Sequence, residues 1–245
     1  MATVLKSRAL VKDLGRQLVK MANAQFESEP FKRLLTLPLT KKRVQLYTIQ
    51  RTHWTVNRRD CWAAVQASAP FAVKKLIWDH ERDELEGDKS KGKADHYQMS
   101  IQEGAEMGLK RVDFQRIGPT DGCLTCCNAW ENLARTRPWL GALAASCALE
   151  LSNSDQILKG GSMSRRMGMR IQEALGLPFK KQASNAEHAV ADIAHGHMMM
   201  EVAEIYVTNA YERDLVLQGA ADSWSVDRIW KGHLADIMAA IPLKA

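Results

Sequence analysis

Residues 185–207 read NAEHAVADIAHGHMMMEVAEIYV. A helix turns by about 100° per residue, so His188, Asp192 and His195, at offsets of four and seven, project from one stripe. If the helix is unbroken, His197 points to the opposite side. Imidazole and carboxylate groups together are typical ligands of iron, manganese or zinc. The stripe therefore predicts part of a metal site, and the alternative is a buried polar stripe or a solvated face.

A metal that needs four to six ligands cannot be satisfied by one helix, so other helices must supply acids or histidines. His96 begins a predicted helix, and Glu150 lies between two leucines in an apolar run. A buried carboxylate there is expensive unless it is paired or bound to a metal. Glu81 and Glu84 lie near the end of an earlier helix. For each acid the alternative is an ordinary exposed carboxylate near a helix end.

Helical periodicity runs through the whole chain, and no window has the alternation of a strand. The sequence predicts an all-α protein with about eight or nine helices, forming a single helical domain over residues 1–245. Predicted helices include 4–25, 41–68, 71–86, 96–108 and 138–152. A ligand helix is expected to continue to about residue 216, and a last helix to span 223–241.

Composition excludes several classes of protein. Hydrophobic residues make up 46% and charged residues 25% of the chain, and no stretch approaches the roughly 20 apolar residues of a membrane span. The net charge of +6 is spread over amphipathic helices, which favours solvated faces over a nucleic-acid groove. Cys123, Cys126 and Cys127 lack the second half of a zinc site, so we interpret them as reduced thiols of a cytoplasmic protein.

Along the chain, an acid is followed by a loop and His96, then by Glu150, and then by His188-x3-Asp192-x2-His195. This order resembles that of the haem-oxygenase-like di-iron oxidases and oxygenases. This superfamily also contains thiaminase-like and pyrroloquinoline-quinone-synthesis proteins. The resemblance covers most of the chain, including FKRLLTLPLTKKRVQLYTIQRTHW at 31–54, ASAPFAVKKLIWDHERDELEGD at 67–88 and EALGL at 173–177. The Glu-x-x-His pairs of ferritin-like bundles are absent from the sequence.

The resemblance implies a haem-oxygenase-like helical bundle and an oxygen-dependent oxidoreductase with two Fe2+ ions and dioxygen as co-substrate. Its substrate would be a small, amino-acid-derived metabolite, oxygenated at nitrogen or cleaved at a C–C or C–N bond in a biosynthetic pathway. A homodimer and an external electron donor are compatible with it. The implied iron ligands are Glu84, His96, Glu150, His188, Asp192 and His195, with Glu81 as the alternative to Glu84.

Two other functions stay open. A thiaminase-like hydrolase without iron would need a cysteine nucleophile, for which Cys61 and Cys147 are available. A metal-free helical binding protein would keep the polar stripe as a structural feature. Arg58, Arg59 and Lys159 are candidates for binding a substrate carboxylate, although surface positions suit them better.

Overall fold

The computed structural model describes the backbone of residues 2–88, 90, 92–195 and 197–243, and the side chains of these residues except 2–7 and 190–195. Within this part of the chain there are twelve α-helices: α1 (Ala2–Glu27), α2 (Glu29–Thr36), α3 (Lys41–Ser68), α4 (Phe71–Glu86), α5 (His96–Glu106), α6 (Arg111–Arg116), α7 (Asp121–Thr136), α8 (Trp139–Leu151), α9 (Met163–Leu175), α10 (Ala183–His195), α11 (Met198–Tyr206) and α12 (Ala210–Ala239). The prediction of an all-α fold is confirmed, and the prediction of eight or nine helices is wrong.

The long helices form the centre of the bundle. Helix α12 packs along α8 and also contacts α7, α2 and α1, while α3 contacts α7, α5, α8 and α4. Helix α8 is apolar along almost its whole length and nearly all of its residues are buried, as expected for a helix that is hydrophobic all round. The carboxylate of Glu150 therefore enters the interior near the end of the most buried helix. None of the described helices has the length and hydrophobicity needed to cross a membrane.

The sequence prediction was wrong about the helices that follow α9. The predicted ligand helix does not run on to residue 216, because α10 ends at His195 and α11 begins at Met198. A glycine follows His195 in the sequence, and glycine disfavours the interior of a helix. The last helix begins at Ala210, not at residue 223, because the side chain of Asn209 accepts a hydrogen bond from the backbone N–H of Glu212 (3.1 Å) and caps it.

Helices α8 and α12 cross closely because two glycines face each other. A Cβ atom added to Gly219 would lie only 2.1 Å from the carbonyl oxygen of Gly141. Since that obstacle is backbone, it cannot rotate away. Near the other end of α8, the indole N–H of Trp224 donates to the carbonyl oxygen of Ala148 (3.0 Å) and to the hydroxyl of Ser152 (2.8 Å). These contacts fix the helix that carries Glu150.

We expect Gly219→Ala to lower the free energy of unfolding by about 3 kcal/mol or more, because the two helix backbones must separate. Urea unfolding followed by circular dichroism measures this change. The control is Gly118→Ala, where the added Cβ meets no atom within 4 Å and the loss of chain entropy on folding is reduced. Equal effects of the two substitutions would contradict the close helix crossing.

Candidate metal centre

The loop between α4 and α5 brings the first two predicted ligands together. Gly87 ends α4 with a φ of 66°, a backbone conformation that favours glycine. The side chain of Asp95 accepts a hydrogen bond from the backbone N–H of Gln98 (2.8 Å) and so caps α5. The chain thus reverses direction, and Glu84 Oε2 lies 2.8 Å from His96 Nδ1. Both side chains are almost fully buried.

Three predicted ligands line one small cavity inside the bundle. They are Glu84 of α4, Glu150 of α8 and His188 of α10; the other lining residues are Trp54, Thr55, Arg58 and Arg59 of α3. Its free volume is about 10 Å³, and a volume of about 10–15 Å³ holds one water molecule. The space therefore suits a single atom or ion rather than an organic group while the side chains keep these positions.

His96 contacts Glu84 and His188, two of the residues that line this cavity. The centres of the two imidazole rings are 4.6 Å apart and the rings meet edge to face. His96 is 1% exposed, and its Nε2 has no hydrogen-bond partner among the described residues. A buried nitrogen without a hydrogen-bond partner destabilises the folded state. A ligand that binds this nitrogen would remove that penalty.

The ring of His188 is oriented by its own helix. The carbonyl oxygen of Ser184 lies 2.7 Å from His188 Nδ1, and because a carbonyl can only accept, Nδ1 carries the proton. The lone pair is therefore on Nε2. A backbone carbonyl that fixes the tautomer in this way is typical of histidines that bind metals. Burial, followed by the nearby His96, lowers the pKa of His188 to about 3, which keeps the ring neutral at neutral pH.

Glu150 is buried, and its carboxylate makes no hydrogen bond with the described residues. Only 7% of the residue is exposed, and its Oε1 lies 4.0 Å from both Arg58 Nη2 and His80 Nε2. Both distances are too long for hydrogen bonds. The alternative of an exposed carboxylate at a helix end is therefore wrong for Glu150, and its charge is paired with Arg58 only at a distance too long for a hydrogen bond.

Arg59 holds the acids of α4. Its Nη1 lies 2.6 Å from Glu84 Oε2 and 3.2 Å from Glu81 Oε1. Burial opposes the charged form of Glu84, yet Arg59 and then His96 outweigh burial and hold the pKa of Glu84 well below its usual range. Arg58 and Arg59 are thus interior residues, and the expectation of surface positions for them is wrong. Lys159 is exposed, as expected.

Sequence reasoning missed His80. It is 5% exposed, its Nδ1 lies 3.0 Å from Glu81 Oε1, and its ring packs on Trp62 with ring centres 4.8 Å apart. His80 is four residues before Glu84, so both lie on one face of α4. That spacing was the available signal for a second histidine beside the acids.

A second missed feature is a buried network that joins α3, α5 and α10. Glu103 is fully buried and its Oε1 lies 2.8 Å from Arg51 Nη2. Its Oε2 accepts a hydrogen bond from the backbone N–H of Asn185 (2.9 Å), in the first turn of α10, where a carboxylate is favourable. Glu103 lies seven residues after His96, on the same face of α5. The network therefore fixes His188 of α10 relative to His96 of α5.

The donor set fits a metal, although the described atoms do not form a complete site. Among the described side chains, no three His, Cys, Asp or Glu groups are close enough to hold one metal ion. The side chains of Asp192 and His195 lie outside the described residues. The free Nε2 of His96 and the carboxylate of Glu150 without a hydrogen bond are the observations that a bound cation would account for.

We expect the metal-free protein to lose stability as the pH falls below about 6.5. In the unfolded chain His188 takes up a proton near pH 6.5, whereas in the folded protein it does so only near pH 3. Protonation of His188 in the unfolded chain therefore lowers the free energy of unfolding between these pH values, by about 2 kcal/mol at pH 5 relative to neutral pH. Urea unfolding with a chelator, from pH 7 to pH 5, measures this loss. His188→Leu should have a shallower pH dependence, and parallel curves would contradict the assignment.

Solved structures with the same fold include several of unknown function. A CADD-like protein of unknown function from Nostoc punctiforme has a TM-score of 0.73 and 16% identity, covering 94% of this chain and 98% of that one. A domain of unknown function with a heme oxygenase-like fold from Shewanella denitrificans has a TM-score of 0.70 and 16% identity, covering 93% and 90%. A TenA homologue from P. horikoshii has a TM-score of 0.61 and 13% identity, covering 91% and 99%.

These structures define the fold as haem-oxygenase-like. A family model described as "Iron-containing redox enzyme" matches residues 45–228. This range is most of the chain, and the protein belongs to this family of haem-oxygenase-like iron-containing redox enzymes. No match was found among the curated proteins. The resemblance drawn from the sequence is thereby confirmed for the fold and the family.

Proposed function

We propose that the protein is an oxygen-dependent, non-haem di-iron oxidoreductase that acts on a small, amino-acid-derived metabolite. The observation that carries this proposal is the cavity on which Glu84, Glu150 and His188 converge from three helices. This cavity holds one ion as it stands, so a second iron requires the lining side chains to move apart. Membership of an iron-containing redox family supports the choice of iron. An external electron donor and a cytoplasmic location are further parts of the proposal.

The proposed ligands are Glu84, His96, Glu150 and His188, together with Asp192 and His195 from the sequence pattern. Carboxylates and imidazoles suit iron in its common oxidation states. When bound, two irons supply the activation of dioxygen, which protein side chains do not provide. The protein holds its ligands in place, excludes water and positions the substrate.

For Glu84 Oε2 to bind a metal, Arg59 Nη1, which lies 2.6 Å from that oxygen, must move away from it. Glu81 is already 3.2 Å from the same guanidinium nitrogen, so Arg59 can exchange one carboxylate for another without becoming an unpaired buried charge. Glu81 would then form the ion pair with Arg59, while Glu84 binds the metal. This division of roles favours Glu84 over its alternative.

A thiaminase-like hydrolase is the competing function, and the structure of a TenA homologue shares the fold. Such an enzyme needs an accessible, ionisable thiol. Cys61 and Cys147 are both fully buried, and burial raises the pKa of each thiol. Both properties disfavour a nucleophile at either position.

Oxygen uptake tests the proposed function. Protein loaded anaerobically with Fe(II) should consume dioxygen after mixing with aerated buffer, whereas metal-free and zinc-loaded protein should not. The proteinogenic L-amino acids, added in turn, should include one that accelerates the uptake. Equal rates for iron-loaded and zinc-loaded protein would contradict an oxygen-dependent function.

A further inference from the structure

A second cavity adjoins the candidate metal centre. Trp54, Thr55 and His188 line both cavities, so a ligand in the second one would reach toward His188. This second cavity is also lined by Asp227 and Lys231 of α12. Its free volume is about 30 Å³, which corresponds to two or three water molecules at about 10–15 Å³ each. A head group of more than about three heavy atoms would therefore require the lining side chains to move.

The polar end of this cavity is a buried ion pair. Lys231 Nζ donates to Asp227 Oδ1 at 2.9 Å, and the exposed fractions of the two residues are 6% and 2%. An ammonium group has three donors and a carboxylate has two acceptor oxygens. This bond is the only hydrogen bond that either side chain makes with the described residues, so donors of Lys231 and an oxygen of Asp227 are left over.

The cavity also contains aromatic side chains with unused donors. Trp54 and Trp230 stack with ring centres 5.3 Å apart, and neither indole N–H has an acceptor among the described residues. Lys231 Nζ lies 4.0 Å from the centre of the Trp230 ring, and Tyr47 lines the same cavity. A ligand with an apolar body would match these aromatic rings.

The adjacent opposite charges select among head groups. A simple carboxylate would bind Lys231 but would be repelled by Asp227, and a simple amine would meet the reverse problem. A group that carries both charges side by side would satisfy both partners.

We propose that Lys231 and Asp227 bind the free α-carboxylate and α-ammonium groups of an amino-acid substrate. This inference rests on the proposed function, because it places that substrate beside the candidate iron ligands. The ammonium of Lys231 pairs with the carboxylate of the substrate, and the carboxylate of Asp227 pairs with its ammonium. The side chain of the amino acid extends along Trp54 toward His188.

Isothermal titration calorimetry on the metal-free protein tests this subsite separately from iron binding. The probes are the proteinogenic L-amino acids, and for each one that binds, its decarboxylated amine and its deaminated acid. We expect at least one amino acid to bind, and both of its analogues to bind at least about tenfold more weakly. Absence of binding by every amino acid, or equal binding of an analogue, would overturn the proposal.

Variants locate the binding at the ion pair. The double substitution Asp227→Leu with Lys231→Met removes both charges together and avoids an isolated buried charge, so the fold should be retained. It should weaken amino-acid binding at least about tenfold. Asp236→Asn is the control, because Asp236 also lies on α12 but forms an exposed ion pair with Arg33 of α2. This variant should bind amino acids as tightly as the wild-type protein. Unchanged binding by a folded double variant would overturn the proposal. A protein that binds amino acids but no iron would refute only the proposed function.

Discussion

Glu84→Ala should weaken Fe(II) binding by at least about 100-fold, because it removes one of the proposed ligands from the metal centre. The fold should survive, because Arg59 keeps Glu81 as a partner at 3.2 Å and no cation becomes isolated in the interior. Iron binding is measured by anaerobic titration, and helix content by circular dichroism.

Glu81→Ala is the matched control from the same helix. Glu81 contacts His80 and Arg59 and is the partner left to Arg59 when Glu84 binds a metal, so its loss should weaken iron binding by about 10- to 100-fold, which is less than the loss of Glu84. A larger loss in Glu81→Ala than in Glu84→Ala would exchange the two roles and make Glu81 the ligand.

His195→Ala should abolish Fe(II)-dependent oxygen consumption, whereas His197→Ala should retain most of it. His195 belongs to the stripe of His188 and Asp192, and α10 extends as far as His195, so the helical spacing holds over that range. His197 is exposed and precedes α11. Its loss should therefore cost little.

Both variants are measured by oxygen uptake after anaerobic iron loading, with the amino acid that accelerates the wild-type protein. Iron content, determined on the same samples, shows whether the lost activity reflects a lost metal. The reverse ranking would mean that His197 is a ligand and that the ligand set must be rebuilt around it.

The placement of His197 was only partly predictable from the sequence. Periodicity predicted the bounds of α3 and α4 correctly, because their apolar stripes are long and their ends are marked by Thr40, Pro70 and Gly87. It did not find the separation of α10 from α11, since apolar residues are frequent on both sides of residues 196–197. His197 does face solvent, but an unbroken helix is not the reason.

The sequence placed three of the predicted ligands on helices that reach one cavity, but it did not predict the surroundings of that cavity. Glu84, Glu150 and His188 reach one cavity, as acids and histidines on the buried faces of separate helices would. The roles of Arg59 and Glu103 depend on which helices are neighbours, and a single sequence does not specify those long-range contacts. A buried arginine has the same local pattern as an exposed one, and only its packing partner distinguishes them.

The number of irons per chain tests the central claim most directly. After anaerobic loading with Fe(II) and removal of unbound metal, elemental analysis should find about two irons per chain in the wild-type protein, and far less in Glu84→Ala. Zinc and manganese should be minor after purification. A folded wild-type protein that retains no iron after this treatment would contradict a di-iron centre formed by Glu84, His96, Glu150 and His188.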